Sequence, residues 1–408
     1  MRHALVLGGA ALASAAYTPR QADFSATLNP RSAQPKHPGF KRDAASTPSV
    51  NISSVEQLVY DIDVELGNQQ VKLLVDSGSF SLWTATPDYR CTDGYWNYTT
   101  TTCGIVGTYD PTSDPDAVEY DGTAVTYYES YGSGYAQGAA YNTTVTIGGF
   151  TVENYPIGYA DAVDFSGGDN EVTGIIGLGL GEATGFYLSD PWTAQAPAGL
   201  FQRLKEQLGA WQFAITYGEG ISNGPSSTSN TGTLSLGGIA TGMYPGDVDT
   251  AEFVTLNISA DFKKEGYSYW GGNIDGWTYP NDTASGYATP FATDVLVDSG
   301  TAYMKVDRGT TGLYNALWTG GSTVSGDYYV IDCNATAPDF SVIIAGETRN
   351  ISSHDLVYRL ADGTCQSSIT EAINSPQFIL GAPFFKSNLV VFDGDAEAIH
   401  VAQKPRAA

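Results

Sequence analysis

The feature that most restricts this chain is a seven-residue stretch that occurs twice. Leu73-Leu74-Val75-Asp76-Ser77-Gly78-Ser79 returns, much later, as Val295-Leu296-Val297-Asp298-Ser299-Gly300-Thr301. An unbroken apolar triplet reads as a buried strand, and Asp-Ser-Gly directly after it as a tight turn at the strand's end. Each copy therefore carries one carboxylate from a rigid interior to the tip of a loop. A single Asp-Ser-Gly is ordinary turn chemistry. Two copies in matching apolar settings, one per half, imply a duplicated unit. Two such units facing each other bring two carboxylates together. Like charges at that range do not both ionise, so the pair shares a proton and contains one acid and one base.

With 408 residues the chain is long enough for two lobes, each with its own core. Forty-seven glycines, 26 tyrosines and a charged fraction of 15% suit a β-rich, turn-dense protein. No apolar run is long enough to span a bilayer. The formal net charge of -25 argues against nucleic acid as a partner.

The N-terminus reads as processing sequence. Arg2 and His3 precede an apolar stretch, Ala4 to Leu12, and a small-residue cleavage site at Ala13-Ser14-Ala15-Ala16, so residues 1–16 are expected to be a signal peptide. Residues 17–42 then carry Arg20, Arg31, Lys36, Lys41 and Arg42 against one acid, Asp23, and end on a dibasic pair of the kind cut in the secretory pathway. Beyond Arg42 the balance inverts to 13 basic against 43 acidic residues. A basic segment ahead of an acidic body has the character of a pro-segment that neutralises an acidic cleft. Four cysteines agree with secretion. Their proximity in sequence favours pairing Cys91 with Cys103 and Cys333 with Cys365, although spacing alone does not fix connectivity. Neither pair has metal-site spacing, and no metal site or cofactor is expected. Seven sequons, at Asn51, Asn97, Asn142, Asn257, Asn281, Asn334 and Asn350, fit a glycosylated extracellular protein. The C-terminal Lys404-Pro405-Arg406-Ala407-Ala408 is not an apolar tail, so no membrane anchor is expected.

Along the chain, Val55 to Val75 alternates around Gly67-Asn68 and reads as a hairpin leading into the first Asp loop. Arg90 to Asp121 reads as surface loop. Val125 to Tyr128 and Tyr141 to Ile147 read as strands. Between them Tyr131-Gly132-Ser133-Gly134 forms a glycine-flexed turn, either an ordinary hairpin tip or a mobile lid over the carboxylates. Ile175-Ile176-Gly177 and Ile379-Leu380-Gly381 are apolar runs ended by glycine, where backbones must approach closely. Leu200 to Leu208 has helical spacing with Gly209 as its stop, and a second short helix is expected near Thr311 to Trp318. Leu389 to Phe392 reads as the final strand.

Elimination narrows the chemistry. After processing, His354 and His400 are the remaining histidines, far apart and outside any HExxH pattern. A histidine triad or multi-histidine zinc site is therefore not expected. If all four cysteines are bridged, no thiolate nucleophile is available. Carboxylates remain, and glycoside and peptide hydrolysis are the two chemistries to separate. A glycosidase pair has no need of duplicated loops with flanking hydroxyls. In a shared-proton pair, Ser77 and Ser299 can cross-brace the loops. Ser79 and Thr301 can bond the outer oxygens of Asp76 and Asp298, while Gly78 and Gly300 let backbone N–H groups come close.

From about Val55 to Val401 the sequence resembles the pepsin-like aspartic endopeptidases, particularly secreted fungal ones. The carriers are Asp76-Ser-Gly-Ser with Trp83 seven residues on, Tyr131-Gly-Ser-Gly, Ile175-Ile176-Gly177, Asp298-Ser-Gly-Thr, the late cysteine pair and Ile379-Leu380-Gly381-Ala382-Pro383-Phe384-Phe385. The resemblance implies an all-β, bilobal fold with a few short helices and a central substrate cleft. Its lobes would be residues 43–240, with the first Asp loop and flap, and 241–408, with the second Asp loop. It implies a monomeric endopeptidase acting on extended polypeptides at acidic pH, with Asp76 and Asp298 as catalytic pair. Tyr131 would be a flap tyrosine bonded to the Trp83 indole, and the pro-segment would block the cleft until acidification. The chain departs from the family's pattern at several points. Serine replaces the usual threonine at Ser77 and Ser299, Phe80 replaces a small residue, Ala302 replaces a hydroxyl residue, and the 90–121 stretch is longer than typical. Phe80 and Ala302 are expected to alter subsites. The competing class is a binding or inhibitor protein that keeps this fold without its chemistry. Such members generally damage an Asp loop or the flap, and here both are intact.

Overall fold

The computed structural model describes residues 24–27, 52–55 and most of 59–405. The stretches 93–102, 121–124, 165–171, 219–231 and 281–291 are among those outside the described residues, as are residues 1–23, Asn51, Asn97, Ser133 and Asn281.

The doubled motif folds into two copies of one arrangement. In the first half, strand Gln69–Asp76 runs parallel to Gly174–Gly177, with Asp76 opposite Gly177. The strand that leaves the Asp loop, Leu82–Cys91, pairs antiparallel with the other side of Gly174–Gly177. In the second half, Thr293–Val297 runs parallel to Phe378–Leu380. Met304–Val306, leaving the second Asp loop, lies antiparallel on the other side of that strand. Each Asp loop is thus the crossing between two strands that flank a third. The glycine at the end of that third strand lets the loop lie flat on it. A Cβ on Gly177 would come within 2.6 Å of the Phe80 and Ser81 backbone, and one on Gly381 within 2.2 Å of the Tyr303 carbonyl oxygen.

A six-stranded sheet joins the halves. Its order is Phe24–Thr27, Gly232–Leu236, Gln212–Tyr217, Asn388–Asp393, Ala398–Gln403 and Phe253–Asn257. A single apolar cluster runs through it from Tyr60 to Val401. Phe213 stacks on Phe392 across the halves at 4.5 Å between ring centres, and Tyr60 stacks on Tyr217 at 3.5 Å. Helix Leu200–Leu208 buries Leu200, Phe201, Leu204 and Leu208 against this core and stops at Gly209, whose φ of 67° is left-handed.

Three expectations are corrected. The second helix is Arg308–Asn315, three residues earlier than its apolar spacing suggested, because the Asp307 carboxylate caps the Thr310 N–H. Leu389 to Phe392 is not the last strand, since Ala398–Gln403 follows and pairs with it. The 90–121 stretch is not all surface. Tyr109 is fully buried and donates to Asp114, which also accepts from Thr143 Oγ1 at 2.5 Å and the Asp116 N–H at 2.9 Å. This buried carboxylate ties the long loop to the strand Tyr135–Ile147.

Candidate active site

Each strand delivers its aspartate to the same place, with Asp76 7% and Asp298 8% exposed. The two carboxylates are held identically. Asp76 accepts from the Gly78 N–H at 2.8 Å through Oδ1 and from Ser79 Oγ at 2.6 Å through Oδ2. Asp298 accepts from the Gly300 N–H at 2.8 Å and from Thr301 Oγ1 at 2.6 Å through the corresponding oxygens.

The loops also complete each other. Ser77 Oγ donates to the Val297 carbonyl and accepts from the Ser299 N–H, both at 2.9 Å. Ser299 Oγ donates to the Val75 carbonyl at 2.8 Å and accepts from the Ser77 N–H at 2.9 Å. Glycine is required where the loops meet. A Cβ on Gly78 would stand 2.7 Å from the Asp298 carboxyl carbon, and one on Gly300 would stand 2.5 Å from Asp76 Oδ1. Beneath the second loop, Tyr217 donates its hydroxyl to the Ser299 carbonyl at 2.9 Å, and Lys404 Nζ donates to the Tyr217 carbonyl at 2.7 Å.

Burial holds the Asp76 carboxyl well above the usual range, and the Asp298 charge and a hydrogen bond to Asp298 add to this. The Ser79 hydroxyl and Gly78 N–H pull the other way and are outweighed. The pair therefore keeps a proton where isolated carboxylates would have lost both. A half-neutral pair of this kind can take a proton with one member and give one with the other.

The Tyr131 hairpin belongs to the same half as Asp76, whose charge Tyr131 feels. Val125–Ser130 pairs with Tyr135–Ile147, and the Tyr131 N–H closes the tip on the Gly134 carbonyl at 2.9 Å. Gly134 has a φ of 94°, so a side chain there would be strained. Tyr131 packs on a cluster holding Trp83, Tyr127, Ile175 and Phe186. Its hydroxyl lies 3.5 Å from that of Tyr127. Burial, the larger effect, raises the Tyr131 pKa strongly, while its contacts with Tyr127 and the Trp83 indole lower it. Of the expected flap residues, Gly132 is exposed and Ser133 lies outside the described residues.

Of the departures, Phe80 has a physical explanation, and the alanine at 302 has none in the structure. Phe80 is buried and meets Tyr267 and Tyr269 of the second half edge-on, both at 4.7 Å between ring centres. It ties the first Asp loop to the opposite lobe. At Ala302 the backbone carbonyl is engaged by the Tyr358 hydroxyl. Cys91 is joined to Cys103, and Cys333 to Cys365. Of the sequons, Asn257, Asn334 and Asn350 are exposed and Asn142 is half-buried. His354 is exposed. His400 is buried on Ala398–Gln403, with Nδ1 2.9 Å from Thr255 Oγ1 and Nε2 3.7 Å from Asp393. Two residues at the site were not singled out from sequence. Tyr217 offers no signal beyond its place in a strand. Glu129 does offer one, as a lone charge within the tyrosine-rich run Tyr127-Tyr128-Glu129-Ser130-Tyr131.

The family model for eukaryotic aspartyl proteases matches residues 59–404. A probable aspartic-type endopeptidase of Aspergillus fumigatus is 26% identical over 366 residues, covering 86% of this chain and 80% of its own. The acid protease of Saccharomycopsis fibuligera is 27% identical, covering 90% and 87%, and the acid extracellular protease of Yarrowia lipolytica is 25% identical, covering 91% and 87%. The fold matches the crystal structure of the aspartic proteinase from Irpex lacteus with a TM-score of 0.64 at 19% identity, over 87% of this chain and 98% of that one. With that match spanning both Asp loops and the hairpin between them, the chain belongs to the eukaryotic aspartyl protease family, the pepsin-like aspartic endopeptidases.

Proposed function

We propose that this protein is a secreted aspartic endopeptidase that cleaves extended polypeptides at acidic pH, with Asp76 and Asp298 activating a water between them. The observation that carries the reading is the reciprocal bracing of two buried carboxylates, with burial and the Asp298 charge raising the pKa of Asp76. The ionised member takes a proton from the water, and the resulting hydroxide attacks the peptide carbonyl carbon. The protonated member gives its proton to the carbonyl oxygen, so that a tetrahedral diol forms. Collapse of the diol breaks the C–N bond, with a proton passing to the leaving amine, and leaves the pair as it began. Tyr131 closes over the substrate from the hairpin, and Trp83 supports it from below. One chain supplies both carboxylates, so a monomer suffices.

Secretion draws support from the extracellular and acid proteases among the relatives. No helix among the described residues is long and apolar enough to cross a membrane. In the proposed zymogen, residues 17–42 are the removable part. The pairing of Phe24–Thr27 with the edge strand Gly232–Leu236 supports this, because it gives the segment a docking place in the sheet that joins the halves. The exposure of Asn257, Asn334 and Asn350 supports glycosylation at these sequons.

The test is substitution of each aspartate by asparagine. Asp76→Asn and Asp298→Asn should each abolish cleavage of a denatured protein substrate at acid pH while melting within a few degrees of the parent. Substantial turnover by either purified variant would overturn the paired-carboxylate mechanism.

A further inference from the structure

One carboxyl of the first lobe has no part in the reaction above. Glu129 sits on the strand Val125–Ser130 that leads into the hairpin tip. Its Oε2 accepts from Thr184 Oγ1 at 2.8 Å and from Ser81 Oγ at 3.4 Å. Gly185 closes over it so tightly that a Cβ there would stand 2.7 Å from Oε2. The side chain is nonetheless half open, as are Thr184, Tyr131, Tyr187 and Tyr269 around it.

Among the described residues, the titratable groups that face Glu129 are tyrosines: Tyr127 and Tyr131 from its own hairpin, Tyr187 from strand Phe186–Ser189, and Tyr269 from the opposite lobe. Tyr131 and Tyr269 also feel the Asp76 charge, so the same two tyrosines lie between Glu129 and the carboxylate pair. Among the described residues no lysine, arginine or histidine forms an ion pair with it. A carboxyl walled by tyrosine rings and lacking a cation is a receptor for one. The rings attract a cation through their faces, and the carboxylate supplies the opposite charge.

We propose that Glu129 is a specificity-determining residue: with Thr184 and the surrounding tyrosines it forms a subsite that takes a lysine or arginine side chain of the substrate. This rests on the endopeptidase reading. The chemistry gives it a particular pH signature. Burial outweighs the Thr184 and Ser81 hydrogen bonds and pushes the Glu129 pKa up to about 7. At low pH the group is neutral and offers a cation little. As pH rises toward 7 it ionises, and the cation itself favours the ionised form. Preference for a cationic side chain therefore grows with pH, by up to about tenfold per unit while binding of the cation displaces one proton.

The carboxylate pair titrates for every substrate alike, so a ratio of two substrates cancels it. The experiment scans lysine through three positions on each side of one scissile bond, each peptide matched by its norleucine counterpart. kcat/KM is measured from about pH 4 to about pH 6.5 for the parent and for Glu129→Gln. At one position the lysine-to-norleucine ratio should rise at least tenfold across that range in the parent and stay flat in E129Q. A flat ratio at every position in the parent overturns the proposal, as does a rise that survives in E129Q. If E129Q cleaves nothing, Thr184→Val replaces it. Loss of the Thr184 hydrogen bond should move the rise to higher pH, and an unmoved rise overturns the proposal. Failure of the parent to cleave any norleucine peptide strikes instead at the endopeptidase reading, and the proposal falls with it.

Discussion

Replacing Ser77 with alanine tests whether the two Asp loops are held by each other rather than by their own strands. Ser77 is fully buried, and its hydroxyl serves two groups of the opposite loop, the Val297 carbonyl and the Ser299 N–H, both at 2.9 Å. Alanine removes both bonds and leaves a buried acceptor and a buried donor unpaired. Each such group costs about 1–2 kcal/mol, so the variant should lose about 2–4 kcal/mol. That is a large share of the roughly 5–15 kcal/mol by which folded proteins are stable. Ser77→Thr keeps the hydroxyl and adds one methyl to a packed site, at a cost of about 1–2 kcal/mol. Urea unfolding would be followed by the fluorescence of the seven tryptophans, in an Asp298→Asn background to prevent self-digestion. A lowered midpoint at constant slope reads the difference directly. Ser299→Ala should match Ser77→Ala, because it orphans the mirror-image pair, the Val75 carbonyl and the Ser77 N–H. Alanine variants that unfold within about 0.5 kcal/mol of the parent would refute the cross-bracing account, since that is the scatter of neutral surface changes.

Stability should fall as pH rises through neutrality. Asp76 and Glu129 both have folded-state pKa values raised, by burial first, so the folded protein binds more protons than the unfolded one. Their contribution is complete below the unfolded values near about pH 4 and is lost as pH climbs through the raised ones. Glu129 alone accounts for on the order of 3 kcal/mol by about pH 8. Melting temperatures from about pH 4 to about pH 8 at fixed ionic strength check this, and a flat or rising profile would contradict it. Asp114 should act at the other end of the scale. Burial favours its neutral form, but the Thr143 and Tyr109 hydroxyls and the Asp116 N–H together outweigh burial and hold its pKa below the ordinary range. Its contribution is present above about pH 4 and is lost as pH falls through the depressed value. Asp114→Ala should therefore cost about 2 kcal/mol at pH 5 and less at pH 2, by comparison of urea midpoints. Equal costs at both would show the carboxylate's charge to be irrelevant to the loop.

The parts legible in the sequence were those whose meaning is local or repeated. The doubled Leu-Val-Asp-Ser-Gly pattern gave strand, turn and carboxylate together, and the hydroxyls at 77 and 299 could be matched with the opposite loop by symmetry alone. The Tyr131 hairpin and the Leu200–Leu208 helix followed from turn residues and apolar spacing. What escaped depends on partners distant in the chain. The 90–121 stretch looked like pure surface because its polar residues gave no hint that Tyr109 and Asp114 meet Thr143 inside. Asp307 moved a helix by three residues because a cap acts before the apolar period begins. Ala398–Gln403 was missed because its burial comes from Asn388–Asp393 on one side and Phe253–Asn257 on the other, not from its own composition. Glu129 was passed over although it is the lone charge in a tyrosine-rich run, because Tyr187 and Tyr269, which face it, are distant in the chain.

The reciprocity of the Asp loops bears on how such a chain could arise. Residue 77 contacts 297 and 299, residue 299 contacts 75 and 77, and each glycine is fitted to the other loop's carboxyl. Matching contacts in both directions are what a two-fold axis produces between identical partners. Half of this chain has no complete reacting centre, yet two copies of one half, related by that axis, would have one. Joining the two copies end to end would preserve the centre without any new contact. From then on the symmetry would need to persist only where the loops touch. Elsewhere the halves could drift apart, so that one of them could acquire a carboxyl such as Glu129 without a counterpart in the other.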